Sequence, residues 1–199
     1  GTENNPSAKS LVTVPTPIYT FGSTIDGTQL MHDFVIQNNG SELLEIQKVK
    51  TDWGCTAVSY PRQIPPGGEG KITIKVNTTG YGGKRLRKKI VVTTNDRVQP
   101  IINLAVEGDV EKLVTISSQR VKLAGAAGQN INASVVIIPD KKYAFEIIEA
   151  KAKNGKNISI ALDEKTTSNG TGYVVTVQNL KKDKGRYVDT ILLKTTSKI

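Results

Sequence analysis

The side chains with the most distinctive chemistry in this sequence lie in one short stretch. Trp53 and Cys55 are the only tryptophan and the only cysteine of the chain, and they flank Gly54. A thiol at such a corner can act as a nucleophile or a metal ligand when a neighbouring base or cation activates it. The stretch is therefore the first candidate for a specific site.

No activating neighbour stands near Cys55 in the sequence. The only histidine, His32, lies far upstream, and the spacing around the two residues is not that of a catalytic triad. One cysteine excludes an intrachain disulfide and a cysteine-based zinc cluster, and no second histidine exists to share a metal. We expect Cys55 to pack half-buried under Trp53, His32 to be a solvated or edge imidazole, and the protein to bind no metal or cofactor.

Acid–base catalysis has no support either, because the carboxylates show no pairing typical of a cleft. We therefore predict a protein that is not an enzyme. Two interpretations of the corner remain, an aromatic contact point for a partner or a packed corner of a β-sheet.

A second candidate site is a basic strand. Strand alternation over residues 84–94 places Arg85, Arg87 and Lys89 on one face, whereas Leu86, Ile90 and Val92 take the other face together with Lys88. In an immunoglobulin-like topology this strand neighbours residues 43–51. The predicted patch consists of Lys48, Lys50, Lys84, Arg85, Arg87 and Lys89.

The patch allows two interpretations, a solvated face or a surface for an anionic polymer. The net charge of +9 favours anionic partners through long-range attraction. Nucleic acid is disfavoured because the strand has no interleaved aromatic residues on which bases could stack.

Hydrophobic periodicity indicates that strands position these residues. The stretch Gly70 to Asn77 alternates between apolar and basic or hydroxyl side chains, and about seven such runs joined by short turns occupy the first half of the chain. Pro15 and Pro17 interrupt an early edge strand. Residues 29–37 predict a central, well-covered strand, and Val49 is out of step with Leu44 and Ile46, which predicts a β-bulge near residues 47 and 48.

The second half of the chain repeats the first at a period of about 101 residues. Residues 34–36 align with residues 135–137, 44–46 with 145–147, and 90–92 with 191–193. The sequence therefore predicts an all-β protein of two tandem Ig-like antiparallel β-sandwiches. We expect a loose leader over residues 1–10, a first domain over 11–109 and a second over 110–199.

The two copies differ at two places. The Trp53 corner aligns with Asn154 to Asn157, which keep the glycine but neither special side chain. The strand at residues 101–107 has no counterpart after Ile199, so domain two lacks its last strand in this sequence. Either the missing strand lies beyond this sequence, or the sheet edge is open and accepts a strand from a partner.

Several motifs in the first half occur in a fixed order: Phe21-Gly22, Asn38 to Gly40, Gly54 to Thr56, Ile64 to Gly68 and Thr93 to Asp96. As a set they resemble a family of uncharacterised exported bacterial Ig-like domains, related in fold to the major sperm protein and PapD-type sandwiches. Members typically carry Cys-Gly-Cys-Thr at the corner, whereas this sequence has Trp53 in place of the first cysteine. The resemblance implies a periplasmic or cell-surface location and assigns no biochemical function.

Together these features predict a non-catalytic, exported binding or scaffolding protein that acts by protein–protein or protein–glycan contact. The alternative is a periplasmic chaperone or assembly factor that captures partner strands by edge pairing. The partner would be another protein or an anionic surface polymer. No run of apolar residues is long enough to cross a membrane.

Overall fold

The computed structural model describes residues 12–168 and 170–198, so the leader proposed for residues 1–10 lies outside the described residues. The described part is built from β-strands and one short 3-10 helix. The backbone divides into two compact units, of which the first ends at Glu111 and the second begins at Lys112. Among the described residues, no helix is long and apolar enough to span a membrane.

Unit 1 is a sandwich of two sheets. Its strands are β1 (Val12–Thr13), β2 (Ile18–Ile25), β3 (Gln29–Asn38), β4 (Leu44–Thr51), β5 (Cys55–Ser59), β6 (Gln63–Ile64), β7 (Glu69–Asn77), β8 (Lys84–Thr94) and β9 (Ile101–Glu111). One sheet has the order β1-β3-β7-β5 and the other the order β2-β9-β8-β4-β6.

The core of unit 1 lies between these sheets. Every second residue of β7 points inward, and Ile72, Ile74 and Val76 are fully buried, as the alternation predicts. Leu86, Ile90 and Val92 of β8 face them from the other sheet. Aliphatic side chains thus supply most of the core, in keeping with the few aromatic residues of the sequence.

The predicted early edge strand is in fact two strands in different sheets. β1 pairs with β3, whereas β2 pairs with β9. Pro15 and Pro17 lie between them, and because proline has no N–H and a fixed φ, the ladder ends there and the chain crosses to the opposite sheet. β2 remains an edge strand, but it runs parallel to β9, so the sandwich is not antiparallel throughout.

Phe21 and Gly22 form a bulge in β2 opposite Gly108 of β9. A Cβ atom at residue 108 would lie 2.4 Å from the Phe21 ring, so the ring packs directly on the glycine backbone. The close approach explains why β9 has a glycine in the middle of a paired strand.

Strand β3 is paired on both sides, but one of its faces is open to solvent. Phe34 and Ile36 are buried, whereas Met31 is 54% exposed. The expectation of a strand covered on both faces is therefore wrong, since the sandwich has only two layers. The predicted bulge in β4 is present, with a register shift against β8 between Ile46 and Lys48.

Unit 2 repeats part of this plan. Its elements are β10 (Val114–Ile116), β11 (Asn132–Pro139), the 3-10 helix Lys141–Tyr143, β12 (Ile147–Ala152), β13 (Ile158–Thr167), β14 (Gly170–Asn179) and β15 (Ile191–Thr195). The order β10-β11-β14-β13 reproduces that of β1-β3-β7-β5, and β12 pairs with β15 as β4 pairs with β8. Both units are Ig-like, and the smaller core of unit 2 centres on Tyr173, Val175 and Val177.

Backbone registers test the alignment of the two copies. Thr51 lies opposite Ile90 and Ala152 lies opposite Ile191, so the spacing of 101 residues holds for this pair of strands. In the other sheet Phe34 faces Ile72, whereas Ile137 faces Tyr173. The pairing of β11 with β14 is therefore shifted by two residues from the one that a constant spacing of 101 predicts. The alignment still identified the inward-facing residues, because a shift of two residues keeps each side chain on the same face of the strand.

Asn38 is a buried polar residue at the end of β3 whose side chain connects the loop between β3 and β4 to β6. Its amide nitrogen donates to the carbonyl oxygens of Glu42 and Ile64, both at 2.8 Å, and its Oδ1 accepts from Gly40 N at 3.0 Å. No part of the residue is exposed. Satisfied buried groups of this kind are costly to break because the partners are left without hydrogen bonds.

We predict that Asn38→Ala lowers the free energy of unfolding of unit 1 by about 2 kcal/mol. Asn39→Ala is the matched control, because Asn39 is exposed and makes one side-chain hydrogen bond to Thr13. It should change stability by less than about 0.5 kcal/mol. Urea unfolding followed by the core methyl NMR signals of unit 1 measures both, and equal effects of the two variants would contradict the role of Asn38.

Candidate functional site

The corner that carries Trp53 is placed by the pairing of β4 with β8. Thr51 is the last residue of β4 and lies opposite Ile90. The next residue, Asp52, donates its N–H to Lys89 O at 3.1 Å, and its Oδ2 accepts from Lys89 N at 2.8 Å. The chain is thus held to β8 up to the residue before Trp53.

Hydrogen bonds also fix the turn itself. Cys55 N donates to Asp52 O at 3.1 Å, Thr51 Oγ1 donates to Cys55 O at 3.1 Å, and Asn77 N donates to Gly54 O at 2.9 Å. Gly54 has a φ of +83°, a conformation that glycine adopts without strain. The backbone on both sides of Trp53 is therefore anchored to β4, β7 and β8.

The indole of Trp53 points away from this anchored backbone. Trp53 is 91% exposed. The expectation that Cys55 packs under Trp53 is therefore wrong, because an indole so exposed covers nothing. The corner presents a large apolar side chain to solvent from a fixed backbone.

Cys55 is half-buried and packs against the core of unit 1. Burial raises the pKa of its thiol to about 11, although the nearby Lys88 acts in the opposite direction. A thiol with a raised pKa stays protonated at neutral pH and is a poor nucleophile. The electrostatics of the corner thus do not activate Cys55.

Lys88 lies beneath the corner. It is only 7% exposed, and its ammonium group donates to the Tyr81 hydroxyl at 2.5 Å and sits 4.7 Å from the centre of that ring. Its Nζ lies 3.8 Å from the point where a Cβ of residue 54 would be. No carboxylate among the described residues forms an ion pair with it.

The predicted basic patch divides into two kinds of residue. Arg85 pairs with Asp109 at 3.1 Å, and Arg87 pairs with Glu107, so β9 supplies acidic partners to both arginines. Lys48 and Lys50 lie opposite Thr93 and Val91 on the same outer face as Lys89, and none of these lysines forms an ion pair within the described residues. Lys84 is exposed at the start of β8. The face is basic at its lysines, whereas the charges of its two arginines are balanced by Asp109 and Glu107.

His32 belongs to an aromatic cluster and is partly exposed. Its ring stacks on Tyr19 with centroids 3.8 Å apart and meets Phe34 edge-on at 4.6 Å. Burial lowers the pKa of the imidazole, and Asp33 opposes this shift. We expected a solvated or edge imidazole, and the ring is partly buried because β2 packs Tyr19 against this face of β3. Among the described residues, no group of three or more His, Cys, Asp or Glu side chains could hold a metal ion.

Sequence reasoning included Asp52 in the corner but did not identify Lys88 and Tyr81 as parts of it. One signal was visible, since Lys88 falls on the inward face of an alternating strand. The contact with Tyr81 was not visible, because it depends on the loop between β7 and β8.

Unit 2 offers a different feature, the free side of β15. This strand pairs with β12, and no described strand lies on its other side. Leu192 and Leu193 are exposed there. In unit 1 the equivalent strand β8 pairs with β9 at this side.

Comparison with known proteins finds a family model that matches the first unit. Residues 12–110 match the family model described as "Protein of unknown function (DUF1573)". The first unit thus matches this family. The match does not extend to the second unit, and no curated protein matches the sequence.

Solved structures match the sequence at low identity. A protein of unknown function from Porphyromonas gingivalis W83 is 22% identical, with a TM-score of 0.46 over 55% of this chain and 51% of that chain. The ASH / PapD-like domain 7 of human CEP192 is 12% identical, with a TM-score of 0.44 over 56% of this chain and 93% of that domain. The match to the Porphyromonas protein thus spans about half of that chain.

We predict that Cys55 reacts slowly with iodoacetamide at neutral pH and that its rate keeps rising towards pH 11, the region of its raised pKa. The folded thiol holds its proton more tightly than the unfolded one. The same shift therefore lowers stability as the pH rises from the ordinary thiol value of 9.0 through about 11.

The urea-unfolded protein is the control for this reaction, because its thiol should titrate at the ordinary value. Alkylation of the folded protein at the rate of the unfolded one at neutral pH would show that the thiol is activated.

Proposed function

We propose that this protein is a non-catalytic binding module that holds another protein, with the Trp53 corner of unit 1 as its main contact. The observation that supports the proposal is an indole 91% exposed on a turn whose backbone is hydrogen-bonded to three strands. A fold gains nothing from such a side chain in isolation. A partner that covers it gains a large apolar contact.

Magnitudes favour tryptophan as an anchor. Aromatic side chains bury about 150–250 Å² each, and the residues that dominate protein interfaces are often Trp, Tyr and Arg, with losses of about 2 kcal/mol or more on truncation. The anchored turn adds to this, because a pre-formed backbone does not have to be ordered when the partner binds.

The basic outer face supports the contact electrostatically. Lys48, Lys50 and Lys89 lie on the face of β4 and β8 beside the corner and have no acidic partner among the described residues. Exposed charges of this kind increase the association rate with acidic partners more than they increase affinity. We therefore assign them to steering and assign the affinity to the corner.

We place this binding outside the cytoplasm, in the periplasm or at the cell surface. The resemblance of unit 1 to exported Ig-like domains supports that location.

We predict that Trp53→Ala weakens peptide binding at least tenfold without loss of stability, because the side chain has little contact with the rest of unit 1. The probe is a random peptide library displayed on phage and selected on the wild-type protein. The affinity of each selected peptide is then measured for both proteins by calorimetry, with alginate as a separate probe for polymer binding.

Val98→Ala is the matched control, because Val98 is also an exposed apolar residue of unit 1. If the selected peptides bind the wild type and Trp53→Ala with equal affinity, the Trp53 corner is not part of the binding interface. Alginate binding lost in Trp53→Ala without any selected peptide would replace the protein partner with a polysaccharide.

A second candidate function is strand capture by unit 2, as in a chaperone or assembly factor. The free edge of β15 and its exposed Leu192 and Leu193 support it. The strand that fills this place in unit 1, β9, buries Ile102, Leu104 and Val106 in alternation. An occupant of the β15 edge should carry the same alternation.

We predict that an 11-residue peptide with the sequence of β9 slows amide exchange in β15 and raises the melting temperature of unit 2, because backbone pairing would extend the sheet. A peptide of the same composition, scrambled to break the alternation, is the control. Equal effects of both peptides, or none from either, would reject strand capture.

A further inference from the structure

The corners of the two units share one backbone arrangement. Asp52 N donates to Lys89 O in unit 1, and Lys153 N donates to Thr190 O in unit 2, 101 residues further on. The following glycines, Gly54 and Gly155, have φ values of +83° and +76°. The two turns can therefore be compared residue by residue as far as the glycine, after which their hydrogen bonds differ.

A carboxylate occupies the corner of unit 2. Asp189 Oδ1 accepts from Asn154 N at 3.0 Å, and its Oδ2 accepts from Gly155 N at 2.9 Å. These two amides lower the pKa of the Asp189 carboxyl, so the turn favours the charged form. Successive backbone N–H groups that converge in this way form an anion-binding nest.

The corner of unit 1 has the same donors and no acceptor. Trp53 N and Gly54 N correspond to Asn154 N and Gly155 N, and no described residue accepts a hydrogen bond from either. The residue that corresponds to Asp189 is Lys88. The carboxylate of unit 2 is thus replaced by a cation in unit 1.

This cation is itself incompletely paired. The Lys88 ammonium group is buried, has three N–H donors, and makes one hydrogen bond, to the Tyr81 hydroxyl. Buried charges in proteins are ordinarily paired with an opposite charge, because desolvation of an unpaired ion is costly. One carboxylate at the corner would satisfy both the two amides and the ammonium group.

We propose that the corner of unit 1 is a carboxylate-binding site for an Asp or Glu side chain of a protein partner. The N–H groups of Trp53 and Gly54 and the ammonium group of Lys88 bind the carboxylate in the place that Asp189 fills in unit 2. The identity of the partner as a protein rests on the proposed function, whereas the site itself does not.

Two features of the corner fit an acidic side chain of a polypeptide. The indole of Trp53 gives the residues beside the carboxylate an apolar surface, and the occupant of the same place in unit 2 is an Asp side chain of the polypeptide, two residues before β15. Lys75 lines the open cleft next to the corner and adds positive charge. Asp52 acts against an anion, although its carboxylate is turned towards Lys89 N.

The test is an NMR titration of the whole protein with N-acetyl-aspartate amide, and N-acetyl-asparagine amide at equal ionic strength is the neutral control. We expect saturable downfield shifts of the Trp53 and Gly54 amide protons with the acid alone. The Asn154 and Gly155 amides should not move, because Asp189 already occupies them. Unmoved Trp53 and Gly54 amides at saturating ligand would overturn the proposal.

Variants assign the groups. Lys88→Met keeps the volume of the side chain and removes its charge. It should lower the affinity for N-acetyl-aspartate amide at least tenfold, since hydrogen bonds between charged groups are the strong ones. Asp52→Asn should strengthen binding by removal of the opposing charge. Amide spectra of each variant report whether the fold is retained, and unchanged affinity in a folded Lys88→Met protein would exclude the lysine.

Trp53→Ala separates this site from the proposed function. The variant keeps the backbone N–H of residue 53, so N-acetyl-aspartate amide should shift that amide as in the wild type, even where peptide binding is lost. Shifts that persist while no peptide binds would reject the protein partner and retain the carboxylate site. Shifts lost in a folded Trp53→Ala protein would reject the site in the form proposed.

Discussion

The antiparallel pairing of β4 with β8 is the constraint on which the chemistry of unit 1 depends. It ends at Thr51 opposite Ile90, and the hydrogen bonds of Asp52 to Lys89 then fix where the chain turns. The same register decides which side chain of β8 lies below the turn. Successive side chains of a strand point to opposite faces, so Lys88 points into the sandwich at that place while Arg87 and Lys89 point out.

The bulge in β4 makes this arrangement compatible with a core. Before it, Leu44 and Ile46 face inward, and after it Val49 does so, while Lys48 and Lys50 remain outside. Without the extra residue the period of two would bring both lysines into the core and turn Val49 to solvent. Unit 2 has a register shift between Ile147 and Glu149, at the equivalent place, so both units have the bulge.

The hydrophobic pattern of the sequence predicted the features that depend on the alternation of side chains along a strand. Alternation identified the inward faces of β7 and β8, and the misfit of Val49 located the bulge. The parallel pairing of β2 with β9 was missed, because nothing in a local pattern states which strand lies next to which. The two-residue shift between β11 and β14 was missed for a related reason. A shift of two residues leaves every inward-facing side chain on the inward face, so the hydrophobic pattern does not change. Within the site, Trp53 was found by its rarity, whereas the Lys88–Tyr81 contact joins a strand to a distant loop.

The internal repeat is more informative about the site than either unit is alone. A single turn with two free amides is unremarkable, because water satisfies exposed N–H groups at little cost. The same turn in unit 2 is closed by its own aspartate, which shows what the backbone geometry accepts. Unit 1 exchanges that aspartate for a buried lysine and adds an exposed indole. Under the proposed function the two changes act in one direction, since the lysine offers a positive charge to an external group and the indole offers it an apolar surface. The two copies of one fold therefore differ at the corner, which unit 2 closes with its own carboxylate and unit 1 does not.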